Sequence, residues 1–319
     1  MEIDDVSRLF GEAMQEIGKV IIGQTALVEG VVVALFAEGS VLIEGVPGLG
    51  KTLLVNTLAR TFGGTFKRVQ FTPDLMPSDL TGHNVYDLGE KKFTFAPGPI
   101  FTNLLLADEI NRSPPKTQSA LLEVMQERQV TVDGQPYLLG RPFLVLATQN
   151  PLEHEGTYPL PEAQVDRFMF KLMVDYPTQQ EENAILGHFV AGRDPRDLSG
   201  FDLKPIMRPE DVAAVQAAVA KVIVEPQLIN YITGIVTRSR SWHAVSVGAS
   251  PRGSINLMLA ARTLAACYGR NFVIPDDVKQ IAPWVLRHRL LLRPEAEIEG
   301  ITADQVVQEI LESVEVPRS

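Results

Sequence analysis

SVLIEGVPGLGKTLLVNTLARTFG, residues 40–63, is the stretch from which the fold can be predicted. A short apolar run leads into a glycine-rich loop, and apolar residues at helical spacing follow. This pattern indicates a strand, a tight loop and a helix. The loop itself, GVPGLGKT at residues 45–52, fits the pattern G-x-x-x-x-G-K-[ST] in the context that this phosphate-binding motif requires. The stretch therefore predicts an α/β protein that binds a nucleotide.

The residue types of this loop explain its chemistry. Glycines let the backbone wrap closely around a phosphate, and the amino end of the following helix adds a positive dipole. We expect Lys51 to reach the β- and γ-phosphates and Thr52 to offer its hydroxyl to Mg²⁺. The predicted nucleotide-contacting residues of this segment are Pro47, Gly48, Leu49, Gly50, Lys51, Thr52 and Leu53.

A second segment, LLLADE at residues 104–109, sets two acids at the end of an apolar run. So short a run is typical of a strand buried on both faces, although a buried helix segment would show the same pattern. Ligands of open α/β sheets bind outside the carboxyl ends of the strands. We therefore expect Asp108 to hold Mg²⁺ and its waters, and Glu109 to orient or deprotonate the attacking water. The pair predicts hydrolysis rather than binding alone.

The order of the elements predicts the fold class. Further strand candidates are FKRVQF, RPFLVLATQN and FMFKLMVD, and strands alternate with helical segments up to about residue 175. That alternation predicts a parallel sheet with helices on both faces. After Pro177 helical patterns dominate, several of them with proline near the first turn. We therefore expect an α/β core over residues 1–177 and an all-helical domain over residues 178–319.

Composition limits the classes of function. The chain has 319 residues, of which 45% are hydrophobic, and this is ordinary for a globular protein. Its formal net charge of −10 argues against a broad nucleic-acid-binding face, because such affinity rests on lysine and arginine. Nucleic acid is therefore not expected as a partner.

Signals for disulfides, export and membrane insertion are weak. Cys267 is the single cysteine, which excludes an internal disulfide and a multi-cysteine metal site. The first residues are acidic and no apolar targeting run follows them. The longest apolar stretch, VVVALFA at residues 31–37, is too short to cross a bilayer. We expect a cytoplasmic protein without a membrane span.

Several motifs, in the same order, resemble those of the MoxR family of AAA+ ATPases: GVPGLGKT, LLLADEINR, LATQNP, EGTYPLPEAQVDRF and GASPRG. The resemblance covers nearly the whole chain. It implies a P-loop AAA+ core with a five-stranded parallel sheet in the order 5-1-4-3-2 and a carboxyl-terminal helical lid. It further implies a homo-oligomeric ring, expected to be a hexamer, in which each nucleotide lies between subunits. ATP and Mg²⁺ are the implied cofactors.

The resemblance also implies roles for single residues. Asn150 matches sensor 1, which holds the lytic water or the γ-phosphate, and Arg167 matches the arginine finger, which neutralises charge on a neighbouring subunit's nucleotide. Arg252 matches sensor 2 of the lid, and its action in its own chain or in a neighbour stays open. Ile22 and Gly23 match the segment that lines the adenine pocket. The alternative for either arginine is a surface salt bridge.

Two inserted β-hairpins are expected, at about residues 83–97 and 129–143. The first resembles the insert that MoxR proteins share with magnesium chelatase, dynein and midasin relatives, and the second resembles the hairpin before sensor 1. The second contains Asp133-Gly134 between alternating residues, which is a strong hairpin signal. Two interpretations of Phe93 and Phe95 stay open: they face the pore or a partner, or they pack the insert onto its own domain.

One residue departs from the family pattern. This chain has His154 in NPLEHEGTYPLP, where relatives often have glutamine. The imidazole could titrate near neutral pH. Because Glu153 and Glu155 flank it, we interpret it as a solvated loop histidine.

Residues and resemblance together predict a Mg²⁺-dependent ATPase that couples hydrolysis to chaperone-like remodelling, assembly or maturation of a partner protein. The resemblance implies a separate partner with a von Willebrand factor A domain, and it does not identify the client. Two alternatives stay open. One is a nucleic-acid-stimulated AAA+ motor, against which the acidic balance stands. The other is a non-hydrolysing nucleotide sensor, against which Glu109, Asn150 and Arg167 stand.

Overall fold

Strands and helices alternate through the first part of the chain. The computed structural model describes residues 1–46, 48–89, 91–151, 156–194 and 197–317. The elements up to residue 174 are α1 (Ile3–Gly18), α2 (Thr25–Phe36), β1 (Val41–Gly45), α3 (Lys51–Thr61), β2 (Phe66–Gln70), α4 (Pro77–Thr81), β3 (Gly82–Asp87), β4 (Lys92–Pro97), β5 (Leu104–Asp108), α5 (Pro115–Glu127), β6 (Gln129–Val132), β7 (Gln135–Leu138), β8 (Leu144–Gln149), α6 (Glu162–Val165) and β9 (Phe170–Val174).

Helices dominate the remainder of the chain. Its elements are α7 (Gln179–Val190), α8 (Pro209–Val219), α9 (Pro226–Ser239), β10 (Val245–Val247), α10 (Pro251–Cys267), α11 (Pro275–Leu286), β11 (Leu291–Leu292), α12 (Pro294–Ile298) and α13 (Ala303–Ser313). The short strands β10 and β11 pair antiparallel, a detail that the helical patterns did not predict. Within the described ranges, no helix combines the length and hydrophobicity that a bilayer crossing needs.

One five-stranded parallel sheet forms the centre of the α/β part. Its order is β2–β5–β8–β1–β9, and every neighbouring pair runs parallel. When only the five strands of this sheet are numbered along the chain, the order is 2-3-4-1-5. Counted from the opposite edge, the same order is 5-1-4-3-2. The predicted fold class is therefore confirmed.

The apolar run of β5 is buried on both faces of this sheet. Leu104 and Leu106 belong to a hydrophobic cluster with residues of α1, α2, α3 and the later helices, whereas Leu105 and Ala107 belong to a second cluster with residues of α5. All four side chains are fully buried. Each buried leucine contributes about 2 kcal/mol by its removal from water, which explains why this strand is continuously apolar instead of alternating. The alternative of a buried helix segment is excluded.

Two antiparallel hairpins stand beside the sheet. β3 pairs with β4, and β6 pairs with β7. The second hairpin turns at Asp133 and Gly134, whose φ angles of 48° and 79° both lie in the left-handed region that a tight two-residue turn requires. It ends at Leu138, before the expected limit at residue 143, and the chain then leads into β8.

The two phenylalanines of β4 have different surroundings. Phe95 stacks on Tyr137 of the second hairpin, with ring centroids 3.9 Å apart, and it also contacts Phe101. Phe93 is 70% exposed and touches only the ring of Tyr86 among the aromatic contacts of the described residues. Each of the two open interpretations therefore suits one phenylalanine: Phe95 packs the insert, and Phe93 is presented to solvent.

A single hydrophobic cluster extends from the sheet into the later helices. It contains Val41 and Ile43 of β1 together with Leu257 of α10 and Ile281 of α11. The helices after residue 177 therefore share a core with the α/β part. The division of the chain into two domains at this residue stays a prediction.

Candidate active site

The loop after β1 carries the first part of the site. Gly48 and Gly50 have φ angles of 87° and 75°, a region that glycine adopts without the strain of a side chain. Gly50 directly precedes Lys51, the first residue of α3, so the amino end of this helix opens onto the loop. The Nζ atom of Lys51 donates a hydrogen bond to the carbonyl of Gly45. The loop thus holds a cation beside a row of backbone N–H groups.

A cavity of about 750 Å³ joins this loop to the carboxyl ends of β5 and β8. It contains most of the predicted site residues, namely Gly48, Gly50, Lys51, Thr52, Leu53, Asp108, Glu109 and Asn150, together with Asn56, Arg60, Phe66, Thr148 and Leu198. Pro47 and His154 lie outside the described residues. The structure therefore brings the loop, the two acids and Asn150 to one cavity, as the positions of the strand ends predict.

Asp108 is held by hydrogen bonds from two neighbouring strands. The hydroxyl of Thr148 on β8 donates to Oδ1 at 2.5 Å, and Nη2 of Arg68 on β2 donates to Oδ2 at 2.7 Å. Thr148 is 1% exposed, while the side chain of Arg68 is 47% exposed. Bonds on both oxygens fix the rotation of the carboxylate group.

Glu109 is held in a restricted backbone conformation. Its φ and ψ angles of 56° and 52° lie in the left-handed region, which costs a residue other than glycine about 1–2 kcal/mol. Its N–H donates to the hydroxyl of Thr148 at 2.9 Å, and its carboxylate accepts from Nε2 of Gln70 at 2.6 Å. Arg112 lies 3.1 Å from the same carboxylate oxygen. Strain of this kind persists where surrounding contacts over-determine it, often at functional sites.

A smaller, mostly apolar cavity of about 230 Å³ adjoins the loop. Its lining includes Ile22, Leu49 and Leu53, and Gly48, Gly50 and Leu53 also line the larger cavity. The remaining lining residues are Val20, Ile21, Gln24, Pro177, Ile185 and His188. A flat apolar group attached to a phosphate chain could therefore occupy both cavities together.

Gly23 has a different position from Ile22. It does not line this cavity; instead, a Cβ at Gly23 would clash with the side chain of Glu181 at the start of α7. Gly23 therefore permits a close approach between the loop after α1 and α7. The amide of Gln24 donates to the carbonyl of Leu49 at 3.2 Å and joins this loop to the phosphate loop.

Arg167 and Arg252 lie together, but in another cavity of about 530 Å³. Among the described residues, this cavity shares no lining residue with either cavity at the phosphate loop. Arg252 lies 3.6 Å from a carboxylate oxygen of Asp166. The guanidinium of Arg167 makes no hydrogen bond or ion pair with the described residues. Neither arginine is among the described residues that line the cavities at its own chain's phosphate loop.

Comparisons with known proteins agree with this geometry. Residues 40–170 match the family described as ATPase family associated with various cellular activities (AAA), and residues 237–310 match the AAA lid domain. Chaperone MoxR1 of Mycobacterium tuberculosis is 46% identical over 96% of this chain and 82% of its own length. Protein MoxR of Methylorubrum extorquens is 30% identical over 94% of this chain and 92% of its own length. The chain belongs to the MoxR family of AAA+ ATPases.

A solved structure extends the comparison to three dimensions. A crystal structure of a protein from Cytophaga hutchinsonii, to which ATPase activity is ascribed, is 42% identical to this MoxR-family chain. The match has a TM-score of 0.90 and covers 99% of this chain and 97% of the other. The MoxR-family chain is therefore an ATPase with the AAA+ fold.

Sequence reasoning missed three residues of this MoxR-type site. Thr148 directly follows the apolar residues of β8, near the carboxyl end of the strand, and that position beside Asn150 is a signal that could have identified it. Arg68 and Gln70 lie on β2, where Gln70 is the register partner of Asp108. Their role depends on which strands are neighbours, and the residues of β2 alone do not contain that information.

Proposed function

We propose that this MoxR-family protein hydrolyses ATP in a Mg²⁺-dependent reaction and uses the energy to remodel, assemble or mature a partner protein. The observation that supports hydrolysis best is one cavity in which Lys51, Thr52, Asp108 and Glu109 converge. A binding module alone would not need a second acid whose backbone is strained and tied to two strands.

Thr52 and Asp108 suit a magnesium ion. A hydroxyl and a carboxylate are the oxygen donors that Mg²⁺ takes when it binds mainly to waters and to substrate phosphates. Among the described residues, no group of three or more histidine, cysteine, aspartate or glutamate side chains could hold a metal ion. When bound, Mg²⁺ neutralises charge on the phosphate oxygens.

Other residues of the cavity bind the phosphates or position the attacking water. Lys51 exchanges the carbonyl of Gly45 for the β- and γ-phosphates, and the N–H groups from Gly48 to Thr52 bind the same oxygens. Glu109, fixed by Gln70, orients the attacking water and accepts its proton. Asn150 holds that water or the γ-phosphate. Ile22 and Leu49 pack against the adenine ring.

Arg167 and Arg252 act on the nucleotide of a neighbouring subunit. Their location in a cavity apart from their own phosphate loop supports this proposal for both residues. The sequence leaves open whether Arg252 acts on the nucleotide of its own chain or on that of a neighbour. The location of Arg252 favours action on the neighbour's nucleotide. Subunits arranged head to tail, with a hexameric ring as the expected closed form, would bring these arginines to the next subunit's cavity.

The client and the partner are proposed from relatives and from exposed surfaces. One relative is named as a chaperone, which supports remodelling of a protein client. Exposed apolar residues on the first hairpin, Leu88 and Phe93, offer a surface for that client. A partner with a von Willebrand factor A domain and a cytoplasmic location remain part of this proposal, as does the division into a core (1–177) and a lid (178–319).

Nucleotide binding and turnover test the proposed chemistry. Lys51→Ala should lose measurable affinity for labelled ATP. Glu109→Gln should bind ATP and Mg²⁺ normally but turn over about a hundredfold more slowly, because it lacks the positioned base. Undiminished ATP affinity in the first variant, or near-normal turnover in the second, would contradict the assignment. Salt-dependent stimulation of turnover by DNA would instead support a nucleic-acid motor.

A further inference from the structure

Arg289 is a buried cation to which neither the family motifs nor the proposed chemistry assigns a role. It follows α11, within the region that matches the AAA lid domain, and its side chain is 1% exposed. Its Nε donates to Oδ1 of Asp166 at 2.8 Å. Its Nη2 donates to the carbonyls of Asp166 at 2.9 Å and Phe168 at 2.6 Å, and its Nη1 donates to the carbonyl of Met169 at 3.2 Å.

These acceptors surround Arg167 in the chain. Asp166 and Phe168 are its two neighbours, and all three lie in the turn between α6 and β9. Arg289 therefore fixes the backbone on both sides of Arg167, while the Arg167 side chain keeps no hydrogen bond or ion pair within the described residues. A planar guanidinium with five donors is suited to such a multiple contact, and a lysine ammonium is not.

The same carboxylate also contacts the residue that matches sensor 2. Oδ2 of Asp166 accepts a hydrogen bond from the hydroxyl of Ser250 at 3.1 Å and lies 3.6 Å from Nη1 of Arg252. Ser250 is the residue that caps α10, and Arg252 lies in the first turn of that helix. Asp166 therefore joins Arg289, the start of α10 and the turn that carries Arg167.

Burial lowers the pKa values of two basic residues in this cluster, Arg289 and His288. Burial lowers the pKa of Arg289 to about 10, and the Asp166 carboxylate opposes this effect, so that Arg289 remains protonated at pH 7. Burial, with a contribution from the Arg289 charge, holds the pKa of His288 well below its usual value. Nε2 of the neutral ring lies 2.7 Å from Nη1 of Arg289 and 3.2 Å from the carbonyl oxygen of Phe168. Because a guanidinium can only donate, Nε2 accepts from Arg289 in the tautomer that carries its proton on Nδ1.

We propose that Arg289 is a positioning residue for hydrolysis: from the lid, it holds Asp166 and the carbonyls beside Arg167 so that the Arg167 guanidinium enters the neighbouring subunit's nucleotide cavity. This inference rests on the proposed shared site. It adds that the lid sets the geometry of the arginine finger of its own subunit, which then acts on the next one.

A matched control distinguishes positioning from general support of the lid. Arg270 and Asp277 form another largely buried pair, with two hydrogen bonds of 2.6 Å, between the end of α10 and α11. This pair does not contact the turn that carries Arg167. Arg270→Lys should therefore weaken the fold in a similar way to Arg289→Lys, without moving the finger.

Kinetics provide the first readout. Arg289→Lys should bind ATP with unchanged affinity but hydrolyse it between about tenfold and a hundredfold more slowly, the loss expected when a catalytic group is misplaced by about 1 Å. Arg270→Lys should keep normal turnover at temperatures where it is folded. If Arg289→Lys does not fold, Asp166→Asn provides a second variant, because it keeps the shape of the side chain and removes the charge that Arg289 holds. Equal turnover loss in both arginine variants would contradict positioning.

Mixed assemblies locate the defect in the finger. Lys51→Ala keeps its finger, so mixing it with Arg289→Lys should restore ATPase activity at the Arg289→Lys nucleotide site. Arg167→Ala lacks the same function as Arg289→Lys, so that mixture should restore nothing. Recovery with Arg167→Ala but not with Lys51→Ala would place the defect in the nucleotide site of the Arg289 variant and overturn the inference. A mixture of Arg167→Ala with Lys51→Ala tests the shared site itself, so that failure of the proposed function is recognised separately.

A double mutant keeps the inference testable even if sites are not shared. If Arg289 acts through Arg167, adding Arg289→Lys to Arg167→Ala should not reduce single-turnover hydrolysis further. If the two losses multiply instead, Arg289 acts by another route and the inference is wrong.

Discussion

Thr148 is a buried hydroxyl between the two acids, and Thr148→Val removes it with little change in side-chain shape. The hydroxyl donates to Asp108 at 2.5 Å and accepts from the N–H of Glu109 at 2.9 Å. The variant leaves a carboxylate oxygen and a strained backbone N–H without these partners. It therefore tests whether the hydroxyl organises both acids or only fills the core.

The magnitude follows from the two bonds. A hydrogen bond to a charged group contributes about 2 kcal/mol and one to a neutral amide about 1 kcal/mol. The extra methyl group of valine offsets about 1 kcal/mol, because it adds apolar burial at a site that is 1% exposed. Thr148→Val should therefore lower the free energy of unfolding by about 2 kcal/mol. It should also slow ATP hydrolysis by at least about tenfold, since Asp108 and Glu109 are no longer held in place.

Thr148→Ser is the matched control, because it keeps the hydroxyl and loses only a methyl group. Urea unfolding followed by tryptophan fluorescence and single-turnover hydrolysis should be measured for both variants. The serine variant should hydrolyse ATP at nearly the wild-type rate. If the valine variant hydrolyses ATP as fast as the serine variant, Thr148 does not organise the acids.

Two further predictions concern the hairpins and the lid. Phe95→Ala should lower the free energy of unfolding by about 2 kcal/mol, because it removes a half-buried ring stacked on Tyr137. Phe93→Ala should change the free energy of unfolding by no more than about 0.5 kcal/mol, but it should reduce client-stimulated turnover. Equal free energies of unfolding for the two variants would contradict this distinction between the phenylalanines. Burial and a hydrogen bond to Glu29 raise the pKa of Tyr268 from 10.0 to about 12. The stabilisation that Tyr268 gives the folded protein is complete below pH 10. It is lost as the pH rises from 10 to 12, because the tyrosine releases its proton at a lower pH in the unfolded chain than in the folded protein. Between pH 9 and pH 11, the free energy of unfolding of Tyr268→Phe should therefore fall less than that of the wild type. Identical decreases in the two proteins would refute the raised pKa of Tyr268.

Local patterns predicted the parts of the fold and site that local chemistry determines. The glycine-rich loop needs particular φ angles, and β5 needs an apolar side chain at every position, so both are recognisable in the sequence. The strand order came from the family resemblance, because parallel strands are joined through helices whose patterns do not specify a neighbour. Helix boundaries are less clear from such patterns. Apolar residues occur from Val20 onward, but α2 begins only at Thr25, after a turn at Gly23 with a φ angle of 78°.

Contacts between distant segments account for what the sequence did not show. Arg68 reaches Asp108 across forty positions of the chain, and Arg289 reaches Asp166 across 123 positions. In the sequence, Arg289 is one of several basic residues in LRHRL and looks like an ordinary helix end. Its burial and its acceptors exist only when α11 packs beside the turn before β9.

The central claim is that each active site is completed by an arginine from the neighbouring subunit, and a mixture of two inactive variants tests it most directly. Arg167→Ala keeps its phosphate loop, and Lys51→Ala keeps its finger. Labelled subunits verify that exchange occurs. An equal mixture should recover up to about one quarter of wild-type ATPase activity, because about one quarter of the interfaces pair an intact phosphate loop with an intact arginine finger. The recovery should disappear on dilution. Verified exchange without any return of activity, at every mixing ratio, would show that Arg167 does not complete a neighbour's site.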